Sequence, residues 1–353
     1  MDTSSNTSEK ANPQADPKGL LNKNVATPHH SSWEMRRALR LAEKARGFTL
    51  PNPMVGAVLI NKDGERIGEG YHTAYGAAHA EVEALKNCDA KGATLYVTLE
   101  PCCHHGKTPP CVDAIIESGI AKVVISSLDP SDKVNGKGAA ALKAAGIEVE
   151  VGLLKEEAEE LNREFYTFHK KKRPFITLKA ALSLDGKIAE TAGEETALTG
   201  KQVQKQVHIL RSEHQAILVG AGTVLADDPH LGVRVVEGRN PLRIILQGKR
   251  KLPKTAQIFR DDNVLVLKDL PMEELMETLY EKGILSVLVE GGHEVFESFL
   301  EAGLADEIQI FQAPVFLGEK AVPFTNGAHP LQLKKSRQLG QDLWLTLNLK
   351  GNK

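Results

Sequence analysis

The chain has 353 residues, 41% of them hydrophobic and 25% charged, with a formal net charge of -2. This is the composition of a folded soluble protein, and the length favours roughly two domains of 100–200 residues; the near-neutral charge offers no electrostatic case for nucleic-acid binding. No apolar run approaches the roughly 18 residues needed to cross a membrane, no apolar core of a signal peptide opens the chain, and four cysteines, three crowded into one loop, point to metal chemistry in a reducing, cytoplasmic compartment rather than to disulfides.

Residues 1–30 are polar and are expected to form a disordered extension. Ser32 is then expected to cap a helix carrying Trp33, Met35, Leu39 and Ala42 at helical spacing. The turn Pro51-Asn52-Pro53 leads into a strand over residues 54–60, and His72 follows a second strand. On residue type alone, Asn52 reads as a turn residue as readily as a site residue, and His72 has the same standing.

The densest chemistry runs from His79-Ala80-Glu81 to Pro101-Cys102-Cys103-His104-His105-Gly106-Lys107-Thr108-Pro109-Pro110-Cys111. A histidine and a glutamate two residues apart, followed by cysteines after prolines, is the pattern of a zinc deaminase. Zinc takes a tetrahedral set of nitrogen and sulfur ligands and keeps one position open for water in catalytic sites. His79, Cys102 and Cys111 supply three ligands, and Glu81 is the proton shuttle. Cys102 follows an apolar strand over residues 93–99, and Cys111 opens a short helix closed by Gly119, where the helix dipole favours a thiolate. Cys103 competes for the ligand role, although its adjacency to Cys102 directs the two side chains differently. Cys88, at a helix end, has no partner nearby in the sequence. Taken singly, each of these residues has a plainer reading: a core histidine, a solvated glutamate, buried thiols. The combination is specific.

A strand over residues 121–129, a helix over 139–145 and a strand over 147–151 complete an α/β first domain. A helical connector over residues 156–169 ends at the basic run Lys170-Lys171-Lys172-Arg173 before Pro174, read as a solvated boundary. A new strand starts at Phe175. A helix over 199–211 leads to a strand over 216–219 ending in Gly220-Ala221-Gly222-Thr223. Another strand, over 285–289, ends in Glu290-Gly291-Gly292 and enters a helix through Phe299. Glycines at such turns let backbone N–H groups approach a phosphate, but neither turn matches G-x-G-x-x-G, so this is no Rossmann fingerprint.

The cysteines depart from the general C-x-x-C spacing of zinc deaminases, with eight residues between Cys102 and Cys111. This longer loop resembles that of the bifunctional riboflavin-biosynthesis deaminase/reductase family. The resemblance extends to Pro51-Asn52-Pro53-Met54-Val55-Gly56, Gly68-Glu69-Gly70-Tyr71-His72, the run from Lys179 to Ala189, the run from Ile217 to Pro229, and Val289-Glu290-Gly291-Gly292. It covers nearly everything from about Ser32 onward. It implies a cytidine-deaminase-like three-layer domain (residues 31–153), a connector (154–174) and a dihydrofolate-reductase-like domain (175–353).

The resemblance also implies roles. One zinc per chain and NADPH are the expected cofactors. Asn52, His72, His104 and Lys107 would contact the deaminase substrate, with Lys107 on its phosphate side. Ala181, Ala197, Thr223, Asp227 and the segment Gly292, His293, Glu294, Val295, Phe296, Glu297, Ser298 would line NADPH. Glu195, Arg211, Leu231, Arg234 and Glu290 would face the sugar-phosphate substrate, and guanidinium suits phosphate recognition. The expected partners are small pyrimidine ribose-phosphates, with the chain a homo-oligomer, dimer or tetramer, and no nucleic acid or membrane. The expected reactions are deamination of 2,5-diamino-6-ribosylamino-4(3H)-pyrimidinone 5′-phosphate and NADPH-dependent reduction of its ribosyl chain to ribityl.

The chain departs from the family where Ser-x-Trp-Ile-Thr-Gly becomes Glu195-Thr196-Ala197-Leu198-Thr199-Gly200, where D-P-x-P carries Asp132 in place of the second proline, and where Glu319 follows Gly318. These departures motivate one rival, a monofunctional deaminase with an inactive reductase-like domain. The other rivals are a nucleic-acid base deaminase and a non-catalytic zinc-stabilised module.

Overall fold

The computed structural model describes residues 28–104, 109–194, 196–268 and 270–350. The expected extension therefore lies outside them, apart from residues 28–30, as do Lys107 and Glu195. No helix among the described residues is long and apolar enough to cross a membrane.

The chain first builds α1 (Pro28–Glu43), β1 (Gly56–Ile60), β2 (Arg66–Tyr71), α2 (Ala80–Ala84), β3 (Thr94–Leu99), α3 (Cys111–Glu117), β4 (Lys122–Ser127), α4 (Lys137–Ala144) and β5 (Glu148–Val151). The sheet order is β2-β1-β3-β4-β5. β1 runs antiparallel to β2 and β3, and β3, β4 and β5 are parallel. β3 and β4 are buried over nearly their whole length, because both faces are covered. On one face Leu59, Leu95 and Val97 pack against Ala84, Ile115 and Leu142. On the other Val58, Tyr96 and Val124 pack against Met35, Ala38 and Leu41 of α1. The result is a three-layer unit.

α1 starts at Pro28, so Ser32 sits inside the helix rather than at its cap, and Trp33 is 71% exposed. The face that reaches the core holds Met35, Ala38 and Ala42, all fully buried. The helical spacing was visible in the sequence, but Trp33 falls off the buried stripe.

The connector is two helices, α5 (Lys155–Leu161) and α6 (Arg163–Lys171). The expected single helix breaks at Asn162, whose side chain is diverted to the backbone of Met54. Nor is the basic run wholly solvated. The Arg173 guanidinium grips Asp306 through two bonds of 2.6 and 2.7 Å.

The rest of the chain builds β6 (Phe175–Leu182), β7 (Lys187–Ala189), α7 (Lys201–Glu213), β8 (Ala216–Gly220), α8 (Ala221–Asp227), β9 (Leu242–Leu246), β10 (Val264–Leu267), α9 (Met272–Glu281), β11 (Ser286–Val289), α10 (His293–Glu301), β12 (Glu307–Gln312), β13 (Val322–Pro323), β14 (Leu331–Leu339) and β15 (Asp342–Leu349). Eight strands form one sheet in the order β10-β9-β8-β11-β6-β12-β15-β14, and β7 pairs with β13 apart from it. The pairs from β10 through β12 are parallel; β15 and β14 close the sheet antiparallel. Leu218 and Val287 face one core, Ile217 and Leu288 the other, as period-two side chains in a doubly covered sheet must.

Candidate active sites

β3 ends at Leu99, which puts Cys102 just past the carboxyl end of a parallel strand, where α/β sheets place ligands. Cys111 is the first residue of α3, and His79 is the N-cap of α2. α2 reaches this position by lying directly on β2. A Cβ on Gly68 would come within 2.0 Å of the Ala84 carbonyl oxygen, and one on Gly70 within 2.3 Å of that of Ala80. Only glycine permits that approach.

One ligand atom each from His79, Cys102 and Cys111 lies within 4.8 Å of the others. His79 Nδ1 stands 3.1 Å from Cys111 Sγ and 3.5 Å from Cys102 Sγ. Cys111 N–H donates to Cys102 Sγ at 3.3 Å. Contact with the Cys111 thiol, then with His79, pulls Cys102 down to about 4 against the push of burial. The same contact pushes Cys111 up. An imidazole and two thiols converging at this range fit zinc. Cys103 instead packs against the apolar core, and Cys88, past the end of α2, donates to the carbonyls of Ala84 and Leu85.

Glu81 faces the same space and is only 3% exposed. Burial pushes its carboxyl up to about 7, where a carboxyl both takes and returns a proton near neutral pH; a dication on the three ligands would draw that value down. His72 is buried, and burial holds it below its ordinary value, hence neutral. Its Nδ1 is 3.1 Å from the Ala78 carbonyl oxygen and its Nε2 is 3.2 Å from Asn52 Nδ2. The network assigns the proton to Nδ1, leaving Nε2 to accept from Asn52. Asn52, His72 and His104 line one cavity of about 710 Å³ with His79, Glu81 and Cys102.

Glu100 is a residue that the motif reading missed. Its buried carboxylate accepts the N–H groups of Asp129, Gly136 and Ala139 at 3.2, 2.8 and 3.0 Å. One side chain therefore shapes the loop that closes this cavity and anchors the start of α4. Its place immediately before Pro101-Cys102 was the available signal.

The second cluster sits at the carboxyl ends of the adjacent parallel strands β8 and β11. Glu290 follows β11, with only 6% of its side chain exposed. Arg211 Nε and Nη2 donate to its two oxygens at 2.7 and 2.8 Å, and Lys179 Nζ lies 3.0 Å away. Burial alone would raise this carboxyl, but the Arg211 and Lys179 charges outweigh it and hold it far below its ordinary value. Lys179 opens the run to Ala189 that carries the resemblance, but nothing in the sequence marks it as a site residue. The structure adds it, and it takes Arg211 away from simple phosphate duty, since Glu290 occupies two of its donors. Arg234 is exposed, whereas Leu231 is buried in the core with φ +53°, so only its backbone can meet a ligand.

α8 and α10 start side by side, with a Cβ on Gly292 reaching to 3.6 Å from Thr223 Oγ1. Ala181 is half-buried, and Ala197 and Asp227 are exposed. Within the segment from Gly292 to Ser298, α10 turns its residues to different sides. Phe296 is buried against Phe324 at a ring separation of 5.0 Å. Glu297 accepts from Thr325 Oγ1 and Asn326 N–H at 2.7 and 2.9 Å. Val295, in the first turn, lies close over Gly220, where a Cβ would come within 2.9 Å of its Cγ2.

Residues 28–127 match the cytidine and deoxycytidylate deaminase zinc-binding region, and residues 174–345 match the RibD C-terminal domain. The riboflavin biosynthesis protein RibD of Aquifex aeolicus is 44% identical, over 88% of this chain and 96% of its own length. Its counterpart in Escherichia coli is 38% identical, over 89% and 98%. Among solved structures, Acinetobacter baumannii RibD superposes with a TM-score of 0.87 at 36% identity, covering 91% of this chain and 99% of its own. A Thermotoga maritima protein, described as a diaminohydroxyphosphoribosylaminopyrimidine deaminase/5-amino-6-(5-phosphoribosylamino)uracil reductase, gives 0.84 at 41%, with the same coverage. With a zinc-deaminase unit and a RibD-type reductase unit in one chain, and relatives this close over nearly its whole length, the protein belongs to the RibD family of riboflavin biosynthesis proteins.

Proposed function

We propose that the chain carries out two consecutive steps of riboflavin biosynthesis. Residues 31–153 deaminate the diaminopyrimidine ribosylamino 5′-phosphate, residues 154–174 connect, and residues 175–353 reduce the ribosyl chain to ribityl with NADPH. The observation that carries the reading is the convergence of His79, Cys102 and Cys111 within 4.8 Å, beside the cavity that His79, Cys102 and Glu81 line.

Zinc bound there would supply a Lewis acid and a water of lowered pKa. Glu81 takes a proton from the attacking water and returns protons to the ring nitrogen and the departing ammonia. Asn52, held by neutral His72, offers its amide to the pyrimidine edge, and His104 stands beside it. Lys107 is assigned to the phosphate side. NADPH supplies the hydride in the second unit. There Thr223 and the first turn of α10, with Ala181, Ala197 and Asp227 at its edge, bind the cofactor. Glu290, fixed by Arg211 and Lys179, hydrogen-bonds sugar hydroxyls, and Arg234 and Glu195 complete the substrate side. The chain works as a cytoplasmic homo-oligomer.

Metal analysis beside turnover tests this reading. One zinc per chain, and ammonia release that chelation abolishes and zinc restores, are the expected results. Ammonia release that survives complete metal removal would overturn it.

A further inference from the structure

The deaminase cavity has a wall that the zinc motif does not supply. Phe165, Phe168, His169 and Lys172 all line it. They fall at i, i+3, i+4 and i+7, one face of α6 and its C-cap. Tyr280 of α9 joins them, its ring 4.6 Å from that of Phe168. His169 stands edge-on to Phe165 at 4.5 Å and to Phe168 at 5.3 Å. The result is a partly exposed aromatic bed with a cationic end, built from the connector and the reductase unit. Two carboxylates, Asp129 and Asp132, share the rim with Lys172 and Lys133. Asp129 caps its own loop, accepting from Ser131 N–H at 2.7 Å. Asp132 reaches Lys172 Nζ only at 3.5 Å, with both side chains more than half exposed, a pairing of little strength. Lys172 also adopts φ +54°, a left-handed conformation that favours glycine at a helix C-terminus. A lysine held there against backbone preference points to a use for its amine.

We propose that this face of α6 is the second half of the deaminase site. Phe165, Phe168 and Tyr280 bed the ribose of the substrate, and Lys172, with His169, receives its phosphate. The inference rests on the deaminase reading above and extends it. Deamination then depends on residues outside the zinc domain, which gives a physical reason for the connector to be a structured pair of helices.

The test is steady-state ammonia release by the full-length zinc enzyme, with the 5′-phosphorylated substrate and with its dephosphorylated riboside. Lys172→Gly is expected to raise KM for the phosphorylated substrate about tenfold, the loss of one charge-assisted phosphate contact, and to lower the preference for phosphorylated over unphosphorylated substrate by the same factor. The same variant relieves the left-handed backbone, so its Tm should hold or rise while KM worsens, a divergence no purely structural role produces. Phe168→Ala is expected to raise KM for both substrates, and Phe168→Tyr to restore it. If wild type releases ammonia while Lys172→Gly keeps the wild-type phosphate preference, Lys172 takes no part in phosphate binding and the inference fails alone. If zinc-loaded wild type releases none, the deaminase reading fails and takes the inference with it.

Discussion

Asn162 holds both backbone groups of Met54: its Oδ1 accepts the Met54 N–H at 2.8 Å and its Nδ2 donates to the Met54 carbonyl at 2.9 Å. The residue that breaks the connector into two helices is thereby fastened two residues from Asn52. Replacing it with alanine leaves a buried donor and acceptor unpaired, a cost of about 2–4 kcal/mol. Denaturant titration of Asn162→Ala should show that loss with an unchanged m-value. A loss under about 0.5 kcal/mol would mean water or a shifted backbone takes over the pairing.

Glu81→Gln preserves the shape of the buried side chain and removes its proton chemistry. Ammonia release should fall by about 10²- to 10⁴-fold while metal analysis still finds one zinc per chain. Zinc lost together with activity would give Glu81 a structural role instead.

Glu290 separates two buried cations. Glu290→Ala leaves Arg211 and Lys179 facing each other uncompensated, which should destabilise the second unit by about 3–5 kcal/mol. NADPH-dependent reduction should fall with it. The larger drop should appear in the transition that reports that unit, read by denaturation with and without NADPH.

Stability should also fall in mild acid through His214. It is buried, with Nδ1 2.7 Å from the Leu210 carbonyl oxygen and Nε2 2.8 Å from Thr177 Oγ1, a pairing the neutral ring satisfies with Nδ1 donating and Nε2 accepting. Burial holds its folded value below the ordinary 6.5, so the unfolded chain binds the proton more readily. That contribution is complete above about pH 6.5 and is lost as pH falls through the folded value. His72 and His208 are shifted the same way. In urea midpoints measured from pH 7.5 to 5, His214→Gln should flatten part of the slope. An identical slope would exclude His214 as a contributor.

How much of this was legible depended on how local the signal is. The zinc loop could be read because ligand chemistry restricts residue type and spacing within one stretch, His79 to Cys111. Buried parallel strands such as β4 and β8 announce themselves as short apolar runs. Asn162 could not be read, since its effect is a contact across 108 residues. Lys179 was hidden in an apolar strand pattern, and only the sheet order β8-β11-β6 sets it beside Glu290. In the run from Gly292 to Ser298 the sequence shows only adjacency, whereas a helix separates adjacent residues by about 100°. Trp33 shows the same limit: helical spacing gives the period, and packing chooses the face.

The most direct measurement is a coupled assay on the purified, zinc-loaded chain with the diaminopyrimidine ribosylamino phosphate, following ammonia release and NADPH oxidation together. The account predicts both, with reduction trailing deamination. Ammonia without NADPH oxidation would mean that Glu195 and Ala197 have cost the second unit its chemistry. No ammonia at all would contradict the assignment of His79, Cys102, Cys111 and Glu81.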